Sequence, residues 1–496
     1  MVRRLGMCLC LVAIAGFVAL PAFAAVQNVK VSGDIKVMGV SRDNFDLKDS
    51  RGGSAQSTNK DGVNAGVSQA RVKIDADLSD NVSTTVRLLN ERMWGREATT
   101  TTANDTVDTT VAIDLANITL KEFLYSPLTL TVGRQELHYG AGLIVGDPDS
   151  NLTAAVEALG GALGTSNVRD LSLRKSFDAI KAVLDYNPLV VDLIYAKIDE
   201  NNARLNDDVT LLGSNLRYDL GKKNTILEAY YFGKITGSAA ASQFTSGTFL
   251  NREAKTEKIH TVGGRVSTVP IENLNLQAEA AYQFGEYDPS LDVNAVDGTT
   301  TTGSGTTQKG HRSAWAAQVI ADYRVKAKYD PRLVATYTYL SGEDNNRTTG
   351  KYNGWASAFE DQTVGDIANA IFAPSNSHII SITGQAKPMA DLTVDVTYAY
   401  FRLAEEFKSH GNYDAAQGPE LPKSILSGVS ILNTSYYMVP GKYDLGNEVD
   451  LHVAYDYTED VQLGLSGGIF IPGNAFAKAY NRDNATQAIA SVKVTF

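Results

Sequence analysis

The chain has 496 residues, 45 Lys+Arg against 56 Asp+Glu, a net charge of −11, and 43% hydrophobic residues. That apolar share excludes a disordered chain, and the acidic balance leaves no basic, aromatic-interleaved face for nucleic acid. Its two cysteines, Cys8 and Cys10, both fall in the first ten residues, so neither a disulfide framework nor a cysteine metal site organises the rest.

The chain opens with Arg3 and Arg4, an apolar run over residues 7–20, then Pro21 and the small-x-small triplet Ala22-Phe23-Ala24. This reads as an export signal over residues 1–24, cut after Ala24. The run is shorter than the ~20 residues a membrane-spanning helix needs. Residues 25–496 are then expected to be one domain without cysteine, with 43 basic against 56 acidic residues.

No later segment has 18 consecutive apolar residues, but apolar residues alternate with polar ones. Ala70, Val72, Ile74, Ala76 and Leu78 alternate with Arg71, Lys73, Asp75 and Asp77. Leu274, Leu276, Ala278 and Ala280 alternate with Asn275, Gln277 and Glu279. Val449, Leu451, Val453 and Tyr455 alternate with Asp450, His452 and Ala454. A period of two means strands with one apolar and one polar face.

Such runs predict about eighteen strands, roughly at 29–40, 67–78, 82–93, 111–123, 128–139, 175–186, 189–199, 209–219 and 225–235, then 257–269, 274–285, 313–325, 332–340, 377–387, 391–403, 444–457, 461–471 and 486–496. The gaps alternate between short and long. Short gaps hold Asp80-Asn81, Ser126-Pro127, Asn187-Pro188 and Asp330-Pro331, and long gaps hold 41–66, 140–174, 286–312, 341–376 and 404–443. Placing the long connections at one end, with an even strand count, fits a transmembrane antiparallel β-barrel with short periplasmic turns and long extracellular loops. A soluble propeller or β-helix would repeat its sequence, and none repeats here.

Aromatics fall at strand ends, among them Trp94, Tyr125, Tyr139, Tyr186, Tyr218 and Tyr323, where amphipathic rings suit a membrane interface. The chain ends on the alternating strand Ser491 to Phe496. Segments 99–110 and 297–310 are Thr/Gly-rich and read as solvated loops. Segment 140–174 starts instead with Gly140-Ala141-Gly142-Leu143-Ile144-Val145-Gly146-Asp147 and runs into a helix-like stretch, 153–163. Segment 354–372 is also apolar enough to pack. Both are expected to fold into the barrel and narrow it.

The run Gly133-Arg134-Gln135-Glu136-Leu137-His138-Tyr139-Gly140 resembles the G-R-Q-x-L-x-Y-G signature of the alginate-export family of outer-membrane proteins. Arg174-Lys175-Ser176-Phe177-Asp178-Ala179-Ile180 is similar to that family's following strand. The resemblance implies an eighteen-stranded outer-membrane pore with a basic constriction for a polyuronate. This chain's polar faces depart from that, because acids and bases are nearly balanced on them.

The pore-lining candidates are Arg71, Lys73, Arg87, Arg134, Glu136, Lys175, Lys181, Arg217, Arg265 and Arg324, with Lys493 on the same kind of face. Arg134, Lys175 and Lys181 are the expected basic side of a constriction, and Tyr139, Gly140 and Asp147 the expected loop anchors. An enzyme is not expected: His452 shares a face with Asp450 and Asp456, but no nucleophile motif accompanies them. No cofactor or metal motif is present. The expectation is a bacterial outer-membrane channel, surrounded by lipid, passing a polar or anionic solute or an anionic polysaccharide such as alginate. The alternative is a sheath barrel enclosing a partner such as an electron-transfer cytochrome; a periplasmic partner is left open.

Overall fold

A computed structural model describes residues 28–47, 62–95, 111–148, 168–200, 208–237, 240–245, 248–253, 256–287, 310–343, 351–372, 374–406, 420–421, 436–478 and 482–496. The export signal expected over residues 1–24, segment 99–110 and the stretch 153–163 lie outside them.

Eighteen long strands form the wall. The first nine are β1 (Asn28–Asp43), β2 (Val63–Ser79), β3 (Val82–Met93), β4 (Ala112–Leu120), β5 (Leu128–Glu136), β6 (Ser176–Asp185), β7 (Leu189–Asp199), β8 (Val209–Asp219) and β9 (Ile226–Thr236). The others are β10 (Glu257–Ile271), β11 (Leu274–Tyr287), β12 (Gly310–Arg324), β13 (Arg332–Leu340), β14 (Ser377–Met389), β15 (Leu392–Leu403), β16 (Asp444–Asp456), β17 (Val461–Pro472) and β18 (Ala485–Thr495). Each pairs antiparallel with its sequence neighbours. β18 returns to β1, from Asp34 opposite Thr495 to Asp43 opposite Thr486, and closes the barrel. Phe496 adds two bonds to this closure: Gly33 N donates to its carbonyl at 2.8 Å, and its own N–H donates to Gly33 O at 3.0 Å.

Alternation sets the two faces of the wall. Val29, Val31 and Ile35 of β1, Ile118 of β4, Leu193 and Tyr195 of β7, Val319 of β12 and Leu465 of β17 all point outward and stay exposed. The inward positions between them carry Gln69, Glu279, Gln318 and Asp450, all buried. A free sheet edge in lipid would leave N–H and C=O groups with no partner, and closure removes both edges. The tight turns use residues that tolerate left-handed backbone, as at Asn273, with φ of 64°.

The rule inverts at the loop end, where inward positions turn apolar. Phe177 and Ala179 of β6, Ile194 and Ala196 of β7, Leu211 of β8, Phe232 of β9, Ala316 of β12 and Leu340 of β13 surround Leu137, Tyr139, Leu143–Val145, Trp355 and Phe359. A second cluster joins Phe45 and Leu47 to Ile379, Phe401, Leu403, Phe470, Phe476 and a short helix, α1 (Asp366–Ile371). A third packs Met38, Val67, Met93 and Ile489 around Val168. The loops thus supply a core inside the barrel. For the same reason Tyr139, expected at the rim, is 7% exposed and inside.

Strand existence follows the expected pattern, but some ends move. β4 stops at Leu120 rather than 123 and β5 at Glu136 rather than 139, because Tyr139 N bonds within its own loop, to Val145 O at 3.0 Å. β2 begins at Val63 rather than 67, paired with Arg42.

The two faces of β11 should respond differently to charge. Ala278 points at lipid, and Ala278→Arg is expected to cost ~2–4 kcal/mol near the midplane. Gln277 accepts from Arg265 Nη2 at 2.7 Å inside, so Gln277→Glu should be tolerated. Heat-modified gel mobility of folded barrel in outer-membrane fractions checks this; equal assembly of both variants contradicts the assigned faces.

Candidate functional site

The site is where two inward loops meet inside the wall. The first, residues 137–148, follows β5. Gly142 N donates to Tyr139 O at 3.0 Å, making a tight turn in which Gly140 and Gly142 have φ of 60° and 74°. The tip also packs closely, because a Cβ on Gly140 would lie 3.0 Å from Glu279 Oε2 of β11. The loop therefore reaches from β5 to a strand six positions round the wall. Burial pushes the Tyr139 phenol pKa up, and the Asp192 carboxylate adds to the shift.

The second loop, residues 353–376, runs alongside. Val145 and Phe359 form a parallel bridge. Gly146 and Asp147 both donate from backbone N to Phe359 O, at 2.7 and 3.0 Å, and Asp361 N donates to Gly142 O at 2.8 Å. Wall amides complete the frame. Gln283 of β11 donates to Ala356 O at 2.8 Å and accepts from Ala356 N at 3.0 Å. Gln318 of β12 reaches Gln362, which in turn donates to Ala141 O. Lys234 of β9 sits 5.3 Å above the Phe359 ring.

The same loop then crosses to β16. Ile367 N and Ala368 N of α1 donate to the two carboxylate oxygens of Glu448, at 2.6 and 2.8 Å. A carboxylate suits the free N–H groups at a helix start. Gly365 leaves room for it, since a Cβ there would come 2.5 Å from Glu448 Oε2. His452 Nε2 meets Asp366 Oδ2 at 2.8 Å. The His452 neighbourhood is therefore a clasp for this loop.

Most of the expected charged residues occupy the inward face, largely paired. Arg71 meets Asp34 at 2.8 Å, Lys73 meets Asp75 at 3.0 Å, and Lys181 meets Asp192 at 3.2 Å. Arg265 meets Glu228 at 2.6 Å, and Arg324 meets Asp330 at 3.7 Å. Lys175 pairs with Asp361 of the second loop. Lys181 also lies 5.4 Å over the Tyr139 ring. Arg217 shares the inward face with Asn215 and makes no ion pair among the described residues.

Arg134 and Glu136 are corrections. They share a face of β5 with Val132, which is 41% exposed toward lipid, while Gln135 between them is 6% exposed and faces inward. Arg134 bonds Ser176 and Asp178 on that outer face, both at 3.1 Å. The basic side of a constriction cannot include Arg134. Arg87 starts on the inward face but ends on Asp114 and Glu136.

Sequence reasoning missed Lys36, which register places directly opposite Lys493. Neither makes an ion pair among the described residues, although both occupy inward positions. Their signal was the alternation of β1, in which Lys36 falls between Ile35 and Val37. It also missed Asp361, Gln362 and Glu448, because loop partners have no periodicity to reveal them.

A closed eighteen-strand antiparallel barrel with an apolar exterior and polar interior is an outer-membrane barrel of the porin type. The profile of the Alginate export family matches residues 33–489, and the chain belongs to that family. No curated protein is matched. Among solved structures the chain is similar to Pseudomonas aeruginosa OccK8 (OprE), at 11% identity and a TM-score of 0.52, covering 95% of this chain and 98% of that one. It is similar to Acinetobacter baumannii OccAB1, at 11% identity and a TM-score of 0.51, covering 96% and 99%. Pseudomonas aeruginosa OpdQ follows, at 10% identity and a TM-score of 0.50, covering 95% and 98%. These likenesses show a shared barrel fold.

The paired loops should loosen without the wall. Phe359 is fully buried, and Phe359→Ala is expected to remove ~3–5 kcal/mol of packing. Limited proteolysis of the folded barrel should then cut within 353–376 faster than in the parent. An unchanged cutting rate would mean that the bridge between the loops does not hold them.

Proposed function

We propose that this barrel is a passive outer-membrane channel for a polar or anionic solute. The observation that carries this is the meeting of the two loops inside the wall: 137–148 and 353–376 join through the Val145–Phe359 bridge and narrow a wide barrel. Most inward charges are neutralised in pairs, which keeps a lumen wet without a strong field. Lys36, Lys493 and Arg217 make no ion pair among the described residues. Lys36 and Lys493, two cations side by side with the neighbouring Asp34 already held by Arg71, favour an anion in the adjacent space. An anionic polysaccharide such as alginate falls within that class, and the family bears its name.

A hollow of about 370 Å³ at the turn end, lined by Asn275, Asp322, Arg324 and Arg332, continues the polar surface. The alternative of a sheath around a partner protein is disfavoured, because the chain's own loops occupy the loop end in three apolar clusters. Residues 1–24 act in this reading as the export signal, residues 25–496 as the single barrel domain, and outer-membrane lipid as its surroundings.

Planar-bilayer recording tests the function. Replacing residues 356–362 by a short Gly-Ser link should raise single-channel conductance. Lys36→Gln with Lys493→Gln should shift ion preference toward cations, more at low salt, since screening acts over ~10 Å at 0.1 M. A parent barrel that does not conduct would reject the channel. Unchanged selectivity in the double variant would remove the anion preference.

A further inference from the structure

Around the closure of the barrel the inward face sorts its charges by sign. β16 carries Asp450, His452 and Asp456 on that face. β17 has no charged residue anywhere along its length, and its inward positions include Gln462, Gly464 and Ser466. Beyond it, β18 carries Lys493 and β1 carries Lys36. A neutral strand therefore separates an acidic one from two basic ones.

Backbone register puts four of these side chains in one row. Asp456 stands opposite Gln462, Gln462 opposite Lys493, and Lys493 opposite Lys36. With strands ~4.8 Å apart, the Cα atoms of Asp456 and Lys493 are ~9.5 Å apart and those of Asp456 and Lys36 ~14 Å. Both ends of the row keep unused charge. Gln462 Nε2 donates to Asp456 Oδ1 at 2.8 Å, and Asp456 makes no ion pair among the described residues. Lys36 and Lys493 make none either, and Asp34, two residues along β1 from Lys36, is held by Arg71 at 2.8 Å. Asp460, whose carbonyl accepts from Thr495 N at 2.9 Å, is exposed and also forms no ion pair among the described residues.

The row opens on the lumen. Asp456 and Gln462 are exposed, and next to them Gly464 opposite Ser491 leaves a low, neutral floor. The inward segment that begins at Val168 lies over the basic end. Gln69, opposite Lys36, is fully buried and donates to Leu171 O at 2.8 Å. The row is thus on the path between the loop end and the turn end.

A carboxylate resting on Lys36 and Lys493 leaves the Asp456 carboxylate unmatched across the floor. An ammonium on the same molecule would match it, provided that its two charges are well separated. An α-amino acid carries both on groups attached to one carbon and is too short. A dipeptide spans ~7 Å between its termini when extended, and flexible lysine stems cover the rest. A simple anion meets the opposing field of Asp456, and a simple cation meets that of the two lysines.

We propose that the row Asp456, Gln462, Lys493 and Lys36 is a binding step for zwitterions with ammonium and carboxylate at opposite ends, such as dipeptides. The step rests on the channel function proposed above and names a class of polar solute for it. Exposed pairs bind weakly, which suits a site that a solute must leave as readily as it enters.

The test is tracer exchange through the barrel in proteoliposomes, with equal solute on both sides so that no net charge moves. The probes are glycylglycine, N-acetylglycine, which lacks the ammonium, and uncharged N-acetylglycinamide. Glycylglycine should exchange about threefold faster than N-acetylglycine, the scale of one exposed ion pair. Asp456→Asn should bring that ratio to one, and Lys36→Gln with Lys493→Gln should slow glycylglycine toward N-acetylglycinamide. A ratio of one in the parent, an unchanged ratio in Asp456→Asn, or glycylglycine no slower in the double variant overturns the zwitterion step. N-acetylglycinamide reports the channel separately: its exchange beside a ratio of one rejects only the step, whereas no exchange of any probe rejects the channel and the step together.

Discussion

A main-chain N–H or C=O group left unpaired in hydrocarbon costs several kcal/mol, and this one constraint governs the chain. It requires the sheet to close, and β1 and β18 meet through ten register pairs with Phe496 extending the junction. Closure gives every strand an inside and an outside. The two-residue period of the sequence follows from that, with Val29, Val31 and Ile35 in lipid and Lys30, Asp34 and Lys36 within. Where the ladder is shortest, between β4 and β5, the Arg87–Asp114 pair lies beside the Gln135 amide, which donates to the main-chain carbonyls of Gly133 and Ala179.

The same accounting explains how loops can lie inside the barrel. A loop in the lumen brings its own peptide groups, which need partners. Gln283, Gln362 and Glu448 supply them, each with both ends of its side chain or both of its oxygens, and Gln318 donates through its Nε2 to Gln362. Apolar residues from both sides then bury each other. A fully buried side chain of the size of Phe359 contributes ~1.5–3 kcal/mol. Three such clusters make the loop end a solid frame, so that the passage through it is set by loops held as firmly as the wall.

The barrel was legible in the sequence because a strand in a membrane wall must alternate. All eighteen strands appear where the alternation puts them, and β13, β14 and β17 begin where the pattern begins. The site was less legible, for a definite reason. Apolar-out, polar-in holds only across the lipid-covered band. Above it, the interior faces apolar loops and the exterior faces water and head groups, so the pattern reverses. Phe177 points inward, while Arg134, Glu136 and Asp178 point outward. Reading Arg134 as a constriction residue extended the lipid-band rule past its range. Lys181 on the strand beyond, and Lys175 just before it, kept the inward face. The loop partners of Glu448 and His452 had no periodic signal, since the contacts join residues 80 and 86 positions apart.

The central claim is that the two extracellular loops fold into the lumen and lock to each other, leaving an open path. Val145→Cys with Phe359→Cys, placed at the parallel bridge, tests it most directly. The account predicts that the cross-link forms in the folded barrel under mild oxidation and that single-channel conductance is retained with reduced fluctuation. Failure of the cysteines to join, or a cross-link that forms only after the barrel is unfolded, would contradict it.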